Sequence, residues 1–164
     1  MKVVSDSSKP TPEAELRALI GKFDSKHQKL FRSVRTALRK RVPTANELAY
    51  DYPSSVVIGY SPTDKGIDAV LAISARADGL TLYFTNGPTL PDPKRLLQGS
   101  GKQTRFIAVE SVKRLAHPDV KALIAAALDQ ATVPLPATGK GTLIMKTDAA
   151  RKRKQRNLRA RLKK

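Results

Sequence analysis

The sequence predicts an α+β fold: an antiparallel sheet of about five strands packed against N-terminal and C-terminal helices. Three observations carry this. Residues 11–41 repeat apolar side chains at helical spacing. Residues 48–109 change to alternation at period two, broken by turn-forming clusters. Residues 118–128 return to helical spacing. The order of helices, a run of strands and a further helix differs from the βαβ alternation of a parallel sheet. A length of 164 residues suits one such domain with terminal extensions.

Residues 1–10 are polar and predict a disordered N-terminus. Thr11 suits an N-cap, Pro12 the first helical position, and Glu13 and Glu15 the positive end of the helix dipole. Leu16, Leu19, Ile20 and Phe23 form one apolar stripe. His27, Leu30, Phe31, Val34 and Leu38 form a second, capped by Asp24 or Ser25. Gly21 and the Asp24–Ser25 pair leave open one bent helix or two. Pro43 ends the segment, because proline disfavours helix in the residue before it.

Leu48, Tyr50 and Tyr52 alternate with Ala49 and Asp51, and a turn at Pro53 and Ser54 leads into a strand over 55–60. Residues 61–66 are dense in turn formers. Residues 67–75 read as a strand with Ile67, Ala69, Leu71 and Ile73 on one face. Ala77, Asp78 and Gly79 supply a hairpin turn. Leu80, Leu82 and Phe84 alternate with Thr81, Tyr83 and Thr85. A proline-rich loop follows, then a short helix over 93–97, a Gly99–Ser100–Gly101 turn and a strand over 104–109. Pro118 and Asp119 open a last helix that buries Val120, Leu123, Ile124, Ala127 and Leu128. The domain is expected over 11–131. Residues 132–150 read as a linker with an optional edge strand at Leu143, Ile144 and Met145, and 151–164 as a tail.

Composition narrows the function classes. The chain has 31 lysines and arginines against 14 acids, a net charge of +17, and a pI near 10.5. The last fourteen residues hold nine of these cations and no acid, which leaves +8 for residues 1–150. Such a block stays hydrated and self-repelling until it meets a polyanion. Within it Arg151, Lys152, Arg153, Lys154, Arg156, Arg159 and Arg161 are the predicted polyanion-binding residues, nucleic acid being the first partner to consider. Leu158 and Leu162, spaced i,i+4, allow a helix once those charges are neutralised. The absence of cysteine removes disulfides and thiolate metal sites. No apolar run approaches the roughly 20 residues of a membrane span, and residues 1–6 lack the pattern of a signal peptide. These features predict a soluble cytoplasmic protein.

Residues 80–84 (Leu-Thr-Leu-Tyr-Phe), 90–93 (Leu-Pro-Asp-Pro) and 96–102 (Leu-Leu-Gln-Gly-Ser-Gly-Lys) with Arg105 resemble the YdhG-like family, a widespread bacterial family of uncharacterised domains. The resemblance runs from about Lys22 to Ala131 and includes Glu47, Leu48, Ala49 and Tyr50. It implies a compact α+β domain similar to frataxin. It also implies an alternative function, intracellular iron delivery, because some members are described as iron chaperones. Iron delivery by a frataxin-like domain relies on an acidic ridge, since hard cations prefer carboxylate oxygen. The matching segment here carries Lys22, Lys26, Lys29, Arg32, Arg35, Arg39, Lys40 and Arg41, with Asp24 the acid among them.

Four further cations surround residues 99–102: Lys94, Arg95, Lys102 and Arg105. A phosphate loop would need Gly at 96 and Ser or Thr at 103, where Leu96 and Gln103 stand. Two readings remain, a tight turn into the next strand or a small anion site combining turn amides with those cations. His27 and His117 are ninety positions apart, and no metal-ligand spacing or cofactor motif is present. No nucleophile–base pair or paired carboxylates stand out, so the sequence predicts a non-enzymatic binding module without a cofactor. Tyr50, Tyr52, Tyr60, Tyr83, Phe84 and Phe106 fall on predicted strands, where aromatics serve the core or stack on bases.

Overall fold

A computed structural model describes residues 10–147, 156 and 158–163. Helix α1 (Pro12–Ile20) begins as the cap signals require: the Thr11 hydroxyl accepts from the Ala14 amide at 3.1 Å. Helix α2 (Ser25–Arg41) is separate, because the Asp24 carboxylate accepts from the His27 amide at 2.9 Å and starts a new helix. Leu16 and Ile20 of α1, and Phe31, Val34 and Leu38 of α2, are buried. Each such side chain contributes about 1.5–3 kcal/mol on leaving water, well above differences in helix propensity.

Strands β1 (Asn46–Tyr52), β2 (Ser55–Ser61), β3 (Leu71–Arg76), β4 (Gly79–Phe84) and β5 (Arg105–Val109) form an antiparallel meander. After β5 come α3 (Lys113–Ala116) and α4 (Pro118–Asp129). Strand β6 (Leu143–Met145) then lies parallel to β1, giving the order β5-β4-β3-β2-β1-β6. The optional edge strand therefore forms and extends the sheet past residue 131. The Glu47 amide donates to the Thr142 carbonyl and the Lys146 amide to the Ala49 carbonyl.

One row, Ala49–Ile58–Ile73–Leu82–Ile107, crosses five strands in register, and every member is fully buried. This face joins the buried side chains of α1, α2 and α4 in one core. The opposite face carries Leu48, Tyr50, Tyr52, Val57, Tyr83 and Phe106. Part of it is covered by residues 62–70, where Gly66 lies against the Tyr50 hydroxyl.

Two expected elements differ. The strand expected over 67–75 begins at Leu71, and Gly66–Asp68 form a 3₁₀ turn with Ile67 exposed. The Thr63 hydroxyl donates to the Asp68 carboxylate at 2.7 Å and the Ser61 hydroxyl to the Lys65 carbonyl at 3.0 Å. These bonds fold the segment before pairing with β2 starts. The helix expected over 93–97 does not form. Arg95 adopts φ +53, and the Asp92 carboxylate accepts from the Leu96 and Leu97 amides, both at 2.9 Å. That carboxylate satisfies amides that a helix would otherwise need to start.

Candidate functional site

Glu47 points to the helix-covered side of the sheet, directly opposite Tyr60 in the β1–β2 register. Both are buried. The Tyr60 hydroxyl donates to the Glu47 carboxylate at 3.1 Å, and Arg35 of α2 donates to both of its oxygens at 2.9 Å. Arg35 also clasps Glu13 of α1 with bonds of 2.9 and 2.7 Å, so one guanidinium joins two helices to the sheet. Arg39, one turn on, approaches Glu47 at 3.6 Å and Glu13 at 3.7 Å. Burial works against the Arg35 charge, but hydrogen bonds to Glu13 and Glu47 outweigh it and raise its pKa. The Arg35 hydrogen bond holds the Glu13 carboxyl below its ordinary range. Burial, then the Glu47 charge, pushes the Tyr60 hydroxyl well above its ordinary value. Tyr60 therefore serves as a donor, not as an acid.

Beyond this network the last turn of α2 opens onto two depressions that share Lys40. The first, about 250 Å³, is lined by Arg39, Lys40 and Lys140 above Glu47 and Tyr60. The second, about 560 Å³, lies between α2, α3 and α4. Its apolar lining includes Ala37, Leu38, Val112, Leu115, Ala116 and Ile124, and its cations are Lys40, Arg41, Lys113 and Lys121. Across both, the one lining acid is Glu47, already paired with Arg35 and Arg39. Lys40, Arg41, Lys113, Lys121 and Lys140 are exposed and make no ion pair among the described residues. Arg39, Lys40 and Arg41 also complement the negative end of the α2 dipole, a structural role of about 0.3–1 kcal/mol each. Lys113, Lys121 and Lys140 have no such role in α2.

The loop cations lie elsewhere. Lys94, Arg95 and Lys102 are exposed in the segment before β5. Gln98 pairs with Phe106 as an isolated bridge, which closes residues 99–105 into a loop at the β5 edge. Arg105 is half-buried, and its guanidinium donates to the Gly101 and Thr104 carbonyls of its own loop. β5 and β6 are opposite edges of the sheet, about 24 Å apart at the usual strand spacing. The 94–105 set and the β6-side cations Arg39 and Lys140 are therefore not one site. In the tail, Arg156, Arg159 and Arg161 are exposed, and residues 158–162 are helical. Arg151, Lys152, Arg153 and Lys154 lie outside the described residues, as does the expected disordered N-terminus apart from Pro10.

The strand aromatics divide by face. Tyr60 and Phe84 are core residues. Tyr50 and Tyr52 stack at 6.2 Å between centroids on the far face, and Tyr83 meets Phe106 there at 5.5 Å. Among the described residues no group of three or more His, Asp or Glu side chains is placed to hold a metal ion, and no helix is long and apolar enough to cross a membrane.

Sequence reading missed Lys113, Lys121 and Lys140, because none lies in a long run of cations; the packing of α3 and α4 on α2 brings Lys113 and Lys121 to the end of α2, and the docking of Gly141 on Pro43 brings Lys140 there. It also missed Glu47, whose one available signal was the i,i+4 spacing of Arg35 and Arg39 on a face that holds no acid. In comparisons with known proteins, the chain matches no family model, no curated protein and no solved structure.

Proposed function

We propose that this chain is a non-enzymatic binding module for polyanions, nucleic acid first among them. The observation that carries the reading is the ring of exposed cations, Lys40, Arg41, Lys113, Lys121 and Lys140, around two adjoining depressions whose one lining acid is already paired with Arg35 and Arg39. A surface serving only solubility would intersperse both signs. The basic tail adds charge of the same sign, with Arg156, Arg159 and Arg161 exposed. Neutralising phosphates releases counterions, so affinity is electrostatic and carries no sequence preference. The iron-delivery alternative needs free clustered carboxylates, whereas Glu13 and Glu47 are both engaged by Arg35.

The test is fluorescence anisotropy with a labelled DNA duplex at low salt. Two proteins are compared with the full chain: one ending at Ala150, and the full-length triple variant K40E/K113E/K121E. Each is expected to bind at least about tenfold more weakly, a loss of about 1.4 kcal/mol. Undiminished affinity in both would overturn the reading.

A further inference from the structure

We infer that the groove between α2, α3 and α4 is a docking site for an acidic amphipathic helix of another protein. This goes beyond polyanion binding: a phosphate backbone can use Lys40, Arg41, Lys113 and Lys121 but offers nothing to the apolar floor between them, so such a helix would compete with nucleic acid for the same cations. The floor includes Leu38, Leu115 and Ile124, with Ala37, Val112 and Ala116 leaving room above it. Small side chains between two helices let a third approach closely, and the depression offers about 560 Å³. That shape suits a helix laid lengthwise, with apolar anchors at i, i+4 and i+7. A single acyl chain would instead need a pocket enclosing most of its surface.

Charge fixes the flanks of the occupant. Lys40 and Arg41 stand on the α2 wall, Lys113 on α3 and Lys121 on α4, and no acid lines the groove. Cations on both walls call for carboxylates on both sides of the apolar stripe. The chain's own tail has the apolar spacing in Leu158 and Leu162 but the wrong sign beside it, in Arg159 and Arg161. Leu158 and Leu162 are, moreover, exposed. A second copy offers no match among the described residues: the other exposed large apolar side chains, Tyr52, Ile67 and Val133, are scattered and lie on no α-helix.

The experiment uses the full chain at moderate salt and a fluorescent peptide of about fifteen residues. The peptide has leucines at i, i+4 and i+7 flanked on both sides by glutamates. A peptide of identical composition with the leucines dispersed around the helix controls for attraction to the tail. The striped peptide is expected to bind at least tenfold more tightly than the dispersed one. A116W, which fills the groove from an exposed position without changing charge, is expected to remove that advantage. In K113E/K121E the glutamate peptide should weaken, and a lysine-flanked version should gain. Equal affinity for the striped and dispersed peptides, an advantage that survives A116W, or laurate binding in the groove while the striped peptide fails would each overturn the inference.

Discussion

A carboxylate on the helix-covered face of a strand is costly, and Glu47 stays there because Arg35 and Tyr60 both donate to it. Glu47→Ala leaves Arg35 half-paired and Tyr60 without its acceptor, so it should destabilise by about 3–5 kcal/mol in urea unfolding. Tyr60→Phe keeps the Arg35 bonds and should cost only about 1 kcal/mol. Equal costs for the two would contradict the network. Glu13 gives a pH signature. Its folded pKa lies below the ordinary 4.5, so its contribution is complete above that value and is lost as pH falls through the lowered one. Glu13→Gln should therefore lower Tm at pH 7 and flatten the decline of Tm below pH 4.5. A decline identical to that of the unaltered chain would contradict this. At this scale the sequence was legible in its caps, Thr11 and Asp24, since both act on amides three residues away. Glu47 was not legible. The bulky Leu48, Tyr50 and Tyr52 share the opposite face, and nothing local says that their face is the one turned away from the helices.

Among the elements, β6 binds the segment after residue 131 to the sheet. Gly141 donates to the Pro43 carbonyl so close to Ala45 that a Cβ would strike the Ala45 carbonyl oxygen. Gly141→Ala should cost about 1–3 kcal/mol and speed hydrogen exchange at the Lys146 amide, which β6 holds against Ala49. Unchanged exchange would contradict the docking of β6. The loop before β5 offers a paired comparison. Gly99 has φ +106, and a Cβ there would sit 3.1 Å from the Phe106 ring. At Gly101 the nearest contact would be an ordinary 3.5 Å. Gly99→Ala should cost about 1–2 kcal/mol and Gly101→Ala under about 0.5 kcal/mol, read from urea midpoints. The strands over 46–61 and 79–84 were legible because alternation and turn residues agree there. Residues 67–70 and 93–97 were misread because side-chain bonds from Thr63, Ser61 and Asp92 override local propensity. Those partners lie on the far side of a turn or at its start, where periodicity carries no information.

For the whole molecule, the fold acts on charge by gathering it. Lysines from α3, α4 and the approach to β6 come to rest around the end of α2, beside the arginines already there. The tail was legible from composition alone, because a run of cations needs no partner to be recognised. The ring was not, because its α2 cations are about 70 to 100 residues from Lys113, Lys121 and Lys140 in the chain and meet them only through packing. The loop cations at 94–105 look similar in sequence, yet the strand order puts them at the opposite edge from Arg39 and Lys140. The central claim is that ring and tail together bind phosphate. The salt dependence of duplex affinity, for the full chain and for one ending at Ala150, tests it most directly. With about three ring cations engaged the shortened chain should show a log–log slope of about −3, and with about six more from the tail the full chain should be steeper than −5. Identical slopes for the two chains, or a salt-independent affinity of the shortened one, would contradict it.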